Sequence, residues 1–333
     1  MAFLENRSCL QLAHDDMKMM IKNPYRIILI VILLSAVPLI IRDAYFLRLI
    51  NLFGISALLT ISFNLLIGFT GQISIGQAAF YGIGAYTSAL VCSKLGVPFW
   101  VGFSTGGVVA ALFGLILGPV LRLPGMGLIM ATYYFGEIIR MTMIEWESLT
   151  NGPRGISDII APAVGSLRFV DDRHFYYLIF ACVFINYFVI SRIVNSRIGR
   201  AMRAIKNDLD AAESLGVSSM KYKILAFVIA GFFSGLAGSL YAHSTGFIDP
   251  ETFNINKSVE ILAMVVMGGV GSITGSVLGA GFITVLPEIF RVFEDYRLIL
   301  FGISILIILI FFPKGLAGLF QMIKERIAGD DTT

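Results

Sequence analysis

Apolar runs, nearly all uncharged and several close to the roughly 20 residues a helix needs to cross a bilayer, follow one another with few pauses from residue 27 to residue 312. A water-soluble domain has no core large enough to hide them, so the chain needs a lipid bilayer around it. Within hydrocarbon every backbone N–H and C=O requires an internal partner, which leaves helices or a closed barrel, and long apolar runs without alternation are helical in kind. The runs 27–41, 49–68, 77–92, 99–121, 125–143, 175–191, 224–244 and 298–312 read as eight spans. Between the last two lies a glycine-interrupted stretch, 258–290, which reads as a broken re-entrant pair. The expected fold is all-α and polytopic, a single transmembrane domain over residues 1–333. A mean hydropathy of +0.83, with only 14% of residues charged, lies outside the range of soluble domains.

Charge gives the bundle a direction. Lys and Arg on short loops mark the cytoplasmic side of a membrane. The loop 192–223 carries Arg192, Arg197, Arg200, Arg203, Lys206, Lys221 and Lys223 against Asp208, Asp210 and Glu213, and is therefore placed in the cytoplasm. Arg7, Lys18, Lys22 and Arg26 before the first run, with Lys314, Lys324 and Arg326 after the last, put both termini on the same side and make the crossings even in number. The polar stretch 145–174 then faces outside. No small-residue cleavage pattern follows 27–41, which is read as a retained span rather than a signal peptide.

Several chemistries are excluded. The net charge of +3, from 25 Lys and Arg against 22 Asp and Glu, has no concentrated basic patch for nucleic acid. Cys9, Cys92 and Cys182, like His14, His174 and His243, stand apart without disulfide or metal spacing. Gly102–Gly106 matches the G-x-S-x-G pattern of hydrolases, but that pattern needs a strand-to-helix elbow and here lies inside an uncharged run. His243 has no credible nucleophile beside it and reads as an interfacial histidine. No catalytic residue is expected.

Two segments depart from simple apolar helix: 68–86, GFTGQISIGQAAFYGIGAY, and 268–282, GGVGSITGSVLGAGF. Glycines with small hydroxyl or amide residues at membrane depth are tolerated where the backbone is buried in protein or lines a cavity, and paired broken segments point to a transport path. Gln72, Ser74, Gln77, Gly271, Ser272 and Thr274 are the expected path-lining residues. For Gly271, Gly275 and Gly279, spaced by four, close helix packing is the competing explanation. Glu137 and Arg140, three apart in an apolar run, read equally as a structural pair and as path lining. Asp249, Glu251 and Glu260 read as a solvated outer vestibule, and Tyr133, Tyr134 and Phe135 as aromatic packing.

These residues also carry a resemblance. FNLLIGFTGQISIGQAAFYGIGAYTSAL (63–90), ATYYFGEIIR (131–140), LTNGPRGIS (149–157), RAIKNDLDAAESLGVSSMKYKILAFVIAGFFSGLAGSLYA (203–242) and MGGVGSITGSVLGA (267–280) resemble the branched-chain amino acid ABC transporter permeases of the LivM type. The likeness runs from about residue 51 to 318. Within it, Asp210, Ala211, Ala212, Glu213, Leu215 and Gly216 follow the D/E-A-A-x-x-x-G arrangement of the ABC importer coupling loop. The resemblance implies the importer permease fold with two related halves, in a bacterial or archaeal plasma (inner) membrane. It further implies a second related permease, two ATPase subunits that bind ATP and Mg, and a periplasmic or lipid-anchored binding protein. The chain lacks a G-x-x-x-x-G-K-[ST] phosphate loop of its own. A short helix from about Asp208 to Leu215 would present Leu209, Ala212 and Leu215 or Gly216 to an ATPase. Permeases for urea or short amides look closely similar; an ion-coupled transporter would need more intramembrane titratable groups than this chain offers.

Overall fold

The computed structural model describes residues 37–38, 43–123, 125–159, 163–164, 167–168, 171–290, 296–311 and 315–318. The expected span 27–41, apart from residues 37 and 38, and both charged termini lie outside the described residues.

Helix α1, Ala44–Asn64, starts where the Asp43 carboxylate accepts from the Tyr45 N–H at 2.9 Å. It runs on into a π-helical turn, Leu65–Thr70, and stops at Gly71, whose φ of 71° is left-handed. A non-helical stretch, 71–76, leads into α2, Gln77–Leu95. Then follow α3, Phe99–Ile116, a 3-10 turn Gly118–Arg122, and α4, Met126–Glu145. The polar stretch holds α5, Glu147–Thr150, and an antiparallel ladder of β1, Ala163–Val164, with β2, Leu167–Arg168, in which Val164 faces Leu167. Beyond it come α6, Asp172–Val194; α7, Arg197–Asn207; α8, Leu209–Ser214; and α9, Ser219–Thr245. The chain closes with α10, Ile255–Gly268; α11, Ile273–Ile289; and α12, Arg297–Phe311. Ser196, Asp208, Asn254 and Ser272 cap α7, α8, α10 and α11 with their side chains, the residue types that satisfy orphan N–H groups at helix starts.

Among the described residues the regular structure is thus helical apart from that small ladder and an isolated bridge between Ile156 and Ile248. Among the described residues four helices are long and apolar enough to cross a membrane: α1 with its π-turn, α3, α6 and α9. The others are shorter or more polar. The stretch expected as a broken pair is two helices, α10 and α11, separated at 269–272.

At the centre α9 packs on α2, α3 and α1, and α1 packs on α6, α10 and α11. Small residues set these approaches, as is usual where lipid supplies no hydrophobic drive: a Cβ on Gly114 would sit 2.8 Å from the Phe227 carbonyl oxygen, and one on Gly106 2.8 Å from that of Gly84. Asn51 donates to the Asp172 carbonyl at 3.0 Å, while Lys206 donates to the Gly68 carbonyl at 2.7 Å. Residues 51 and 68 are about 25 Å apart along a helix. The 145–174 and 192–223 loops therefore lie at opposite ends of the bundle.

Candidate functional site

The two glycine-broken segments meet. A Cβ on Gly68 would lie 2.7 Å from the Gly271 nitrogen and 2.8 Å from its Cα, so only glycine lets the end of α1 reach the turn between α10 and α11. Gly271 itself has φ 90°, a conformation that strains any residue with a side chain. Asn64, which sequence reasoning passed over, pins this junction. Its Oδ1 accepts from the Gly271 N–H at 2.9 Å, and its Nδ2 donates to the Ser272 carbonyl at 2.8 Å and to Ser276 Oγ at 2.7 Å. An asparagine inside an apolar run was the available signal.

Of the expected path residues, Gly271 and Ser272 belong to this junction, and the Ser272 hydroxyl caps α11 by accepting from the Gly275 N–H at 3.0 Å. Gly275 is a packing glycine: its Cβ would meet the Gly268 backbone and, at 3.0 Å, Ala317. Gly279 likewise packs against Gly268: a Cβ on it would lie 2.7 Å from the Gly268 nitrogen. Packing thus accounts for these two of the three spaced glycines, and a turn for the first. Thr274 departs from the expectation. It is exposed on the outer face of α11, with its hydroxyl 3.3 Å from that of Tyr187 on α6, because the cap turns Ser272 inward and places Thr274 on the opposite side.

Gln72, Ser74 and Gln77 are all buried, along a stretch that leaves the helix and then rejoins it. Gln77 opens α2 and donates to Ser234 Oγ on α9, which lies 3.4 Å from Ser62 Oγ on α1. Ser234 is about 22 Å along α9 from its first residue. Helix α2 therefore begins deep inside the bundle, and 71–76 climbs back to that depth from the end of α1. Non-helical backbone there is tolerated because protein covers it: the Ile75 N–H reaches Thr132 Oγ1 at 3.1 Å, and Ser74 Oγ accepts from the Gly76 N–H. Two amide atoms, Gln72 Nε2 and Gln77 Oε1, have no hydrogen-bond partner among the described residues. Gln72 also lines a cleft of about 200 Å³ together with Leu128, Ile205, Lys206 and Leu209.

The same cleft touches the basic loop. Asp208 caps α8 by accepting from the Ala211 N–H at 3.0 Å, and the helix closes at Gly216, whose φ is 80°. Asp210, Ala211 and Glu213 are exposed, and Leu215 is 85% exposed. Ala212 is buried and so is not presented outward as expected; Leu215 points away because the helix ends at Ser214 and the chain turns at Gly216. Glu213 accepts from Ser219 Oγ, tying α8 to the start of α9.

Glu137 and Arg140 form the anticipated pair, with Arg140 Nε 3.1 Å from Glu137 Oε2, and Arg140 Nη1 also reaches Glu251 at 2.6 Å. Glu260 pairs with Lys257 at 3.0 Å, and Asp249 caps the turn at Thr252. These acidic residues are thus partnered or capping. His243 is buried rather than interfacial: Ser88 Oγ lies 2.9 Å from its Nε2, and Phe99 meets its ring edge-on. Phe135 packs on Phe80, while Tyr134 is exposed. Gly102–Gly106 lies within α3 against α2. No group of three or more His, Cys, Asp and Glu side chains suited to a metal is present among the described residues.

The family described as Branched-chain amino acid transport system / permease component matches residues 45–309, from the first residues of α1 to the last of α12. The chain belongs to this family. It is 36% identical over 283 residues to the high-affinity branched-chain amino acid transport system permease protein LivM of Escherichia coli, covering 78% of this chain and 67% of that protein. It is 28% identical over 282 residues to the high-affinity branched-chain amino acid transport system permease protein BraD of Pseudomonas aeruginosa, covering 79% of this chain and 91% of that protein. The autoinducer 2 import system permease protein LsrC of an Enterobacter strain is 29% identical over 196 residues, covering 56% and 54%. No solved structure matches this permease.

Proposed function

We propose that this chain is the membrane-spanning permease subunit of an ATP-driven importer for branched-chain amino acids. The 36% identity to LivM over 78% of the chain carries the reading. It exceeds the likeness to the autoinducer 2 permease in both identity and extent, which favours a zwitterionic amino acid with an apolar side chain as cargo. Such a cargo needs apolar walls and a few well-placed dipoles, in keeping with the buried amides of Gln72 and Gln77.

Residues 208–216 dock a separate ATPase, with exposed Leu209 and Leu215 as apolar contacts and Asp208, Asp210, Ala211, Glu213 and Gly216 shaping the helix. ATP and Mg are bound by two such partner subunits. A second, related permease completes the membrane path, and a periplasmic or lipid-anchored protein delivers cargo to the end bearing 145–174. The protein resides in a bacterial or archaeal inner membrane with both termini and 192–223 in the cytoplasm. Reconstitution of the permease with its partners, and measurement of ATP-dependent uptake of leucine, isoleucine and valine against urea and acetamide, tests the cargo. Uptake of urea in preference to leucine would overturn it. Cysteines at Ser218 and Ser157 test the orientation, since they should react with impermeant thiol reagents from opposite sides.

A further inference from the structure

Helix α7 packs against the end of α1, and its Lys206 side chain hydrogen-bonds at the buried junction. Helix α1 ends in a π-turn, and both the Gly71 and the Gln72 N–H turn back to the Leu66 carbonyl. The Gly68 carbonyl, which Gln72 would have served in a continuous α-helix, is instead taken by Lys206 Nζ at 2.7 Å. A cation suits the negative end of a helix dipole, and the lysine stem lies along Gly71, where a Cβ would come 3.1 Å from Lys206 Cγ. On its other side Gly68 abuts the Gly271 backbone, which Asn64 holds in place. Two residues beyond Lys206 stands Asp208, the cap of α8.

We propose that Lys206 is a positioning residue for transport: it passes movement of α7 and α8 to the junction of α1 with the α10–α11 turn. This rests on the reading of 208–216 as the ATPase dock. The α7–α8 pair then reaches into the bundle by contacts that include Glu213 of α8 to Ser219 at the start of α9 and Lys206 of α7 to Gly68 at the end of α1. The second leads directly to the glycines that close the contact between the broken segments. Loss of the ammonium leaves hydrolysis intact and disconnects it from the path.

The test uses the complete transporter in proteoliposomes, with ATP hydrolysed per leucine taken up as the readout. Lys206→Gln should assemble and hydrolyse ATP within about twofold of wild type. Uptake should fall about tenfold, the size expected for one charge-assisted hydrogen bond, so ATP per leucine rises by the same factor. Lys206→Arg should restore the ratio. So should Lys206→Cys, alkylated with an aminoethyl group after assembly, which replaces the charge in an already folded complex. An unchanged ratio in Lys206→Gln, no recovery with either replacement charge, or failure of Lys206→Gln to assemble overturns the proposal, since a link that only transmits movement is dispensable for folding. Leu215→Asp in the same preparations separates the two readings: if it leaves ATPase association intact, the dock itself is misplaced, whatever Lys206 does.

Discussion

Helices α1 and α6 are equally apolar, yet the structure treats them in opposite ways. Of the most apolar 18 residues, 89% are buried in α1 with its π-turn and 33% in α6. Phe184, Ile185 and Phe188 of α6 face outward, whereas Asn51, Ser56, Thr60, Ser62 and Asn64 of α1 all lie inside. Lipid tails are as apolar as leucine, so hydrophobicity does not sort residues between core and surface in a bilayer; packing of small groups and interhelical hydrogen bonds does. The buried helix is recognised by its polar and small residues.

Five substitutions press on this contrast, taken from the largest expected effect. Asn64→Leu raises the hydropathy of α1 but strands the Gly271 N–H and the Ser272 carbonyl, at about 1–3 kcal/mol for each unsatisfied group. The unfolding midpoint in detergent should drop sharply and uptake should vanish; a stability equal to wild type would mean that apolarity alone governs α1. Next, Gly68→Ala places a methyl against the Gly271 backbone. Overpacking of this kind costs about 1–3 kcal/mol, and thermal unfolding of the purified permease reads it directly.

Gln77→Leu should matter less for stability, since an interhelical hydrogen bond in a membrane is worth about 0.6 kcal/mol on average. Its expected signature is altered uptake rate or altered preference among leucine, isoleucine and valine, with normal subunit assembly. Unchanged kinetics in both Gln77→Leu and Gln72→Leu would remove these amides from the path. Smallest of all, Ile185→Ala on the exposed face of α6 should shift stability by less than about 0.5 kcal/mol. A loss of several kcal/mol there would show that α6 is a core helix after all.

The same contrast explains what was legible beforehand. The apolar helices from α1 onward, and α8, were anticipated within a few residues, because span length acts locally, whereas α5 and α7 fell in stretches read as loops. The short helix from about Asp208 to Leu215 was legible because an aspartate near a helix start suits the positive end of its dipole, a local property. The meeting of 68 with 271 was anticipated only in outline. Asn64, Thr274 and Ala212 show why: whether a polar residue pins a turn, faces outward or tucks beneath a helix depends on which neighbour arrives beside it.

Amino-acid order alone determined that this chain spans a membrane, roughly where its apolar helices fall, and which loop is basic, since bilayer thickness and charge are read one segment at a time. Tertiary structure alone decided that α1 and α9 are central, that α2 begins deep in the bundle, and that Lys206 reaches the Gly68 carbonyl. These depend on backbones approaching to contact distance across 138 residues of sequence in the case of Lys206 and Gly68. In a bilayer, hydropathy is nearly silent about such encounters.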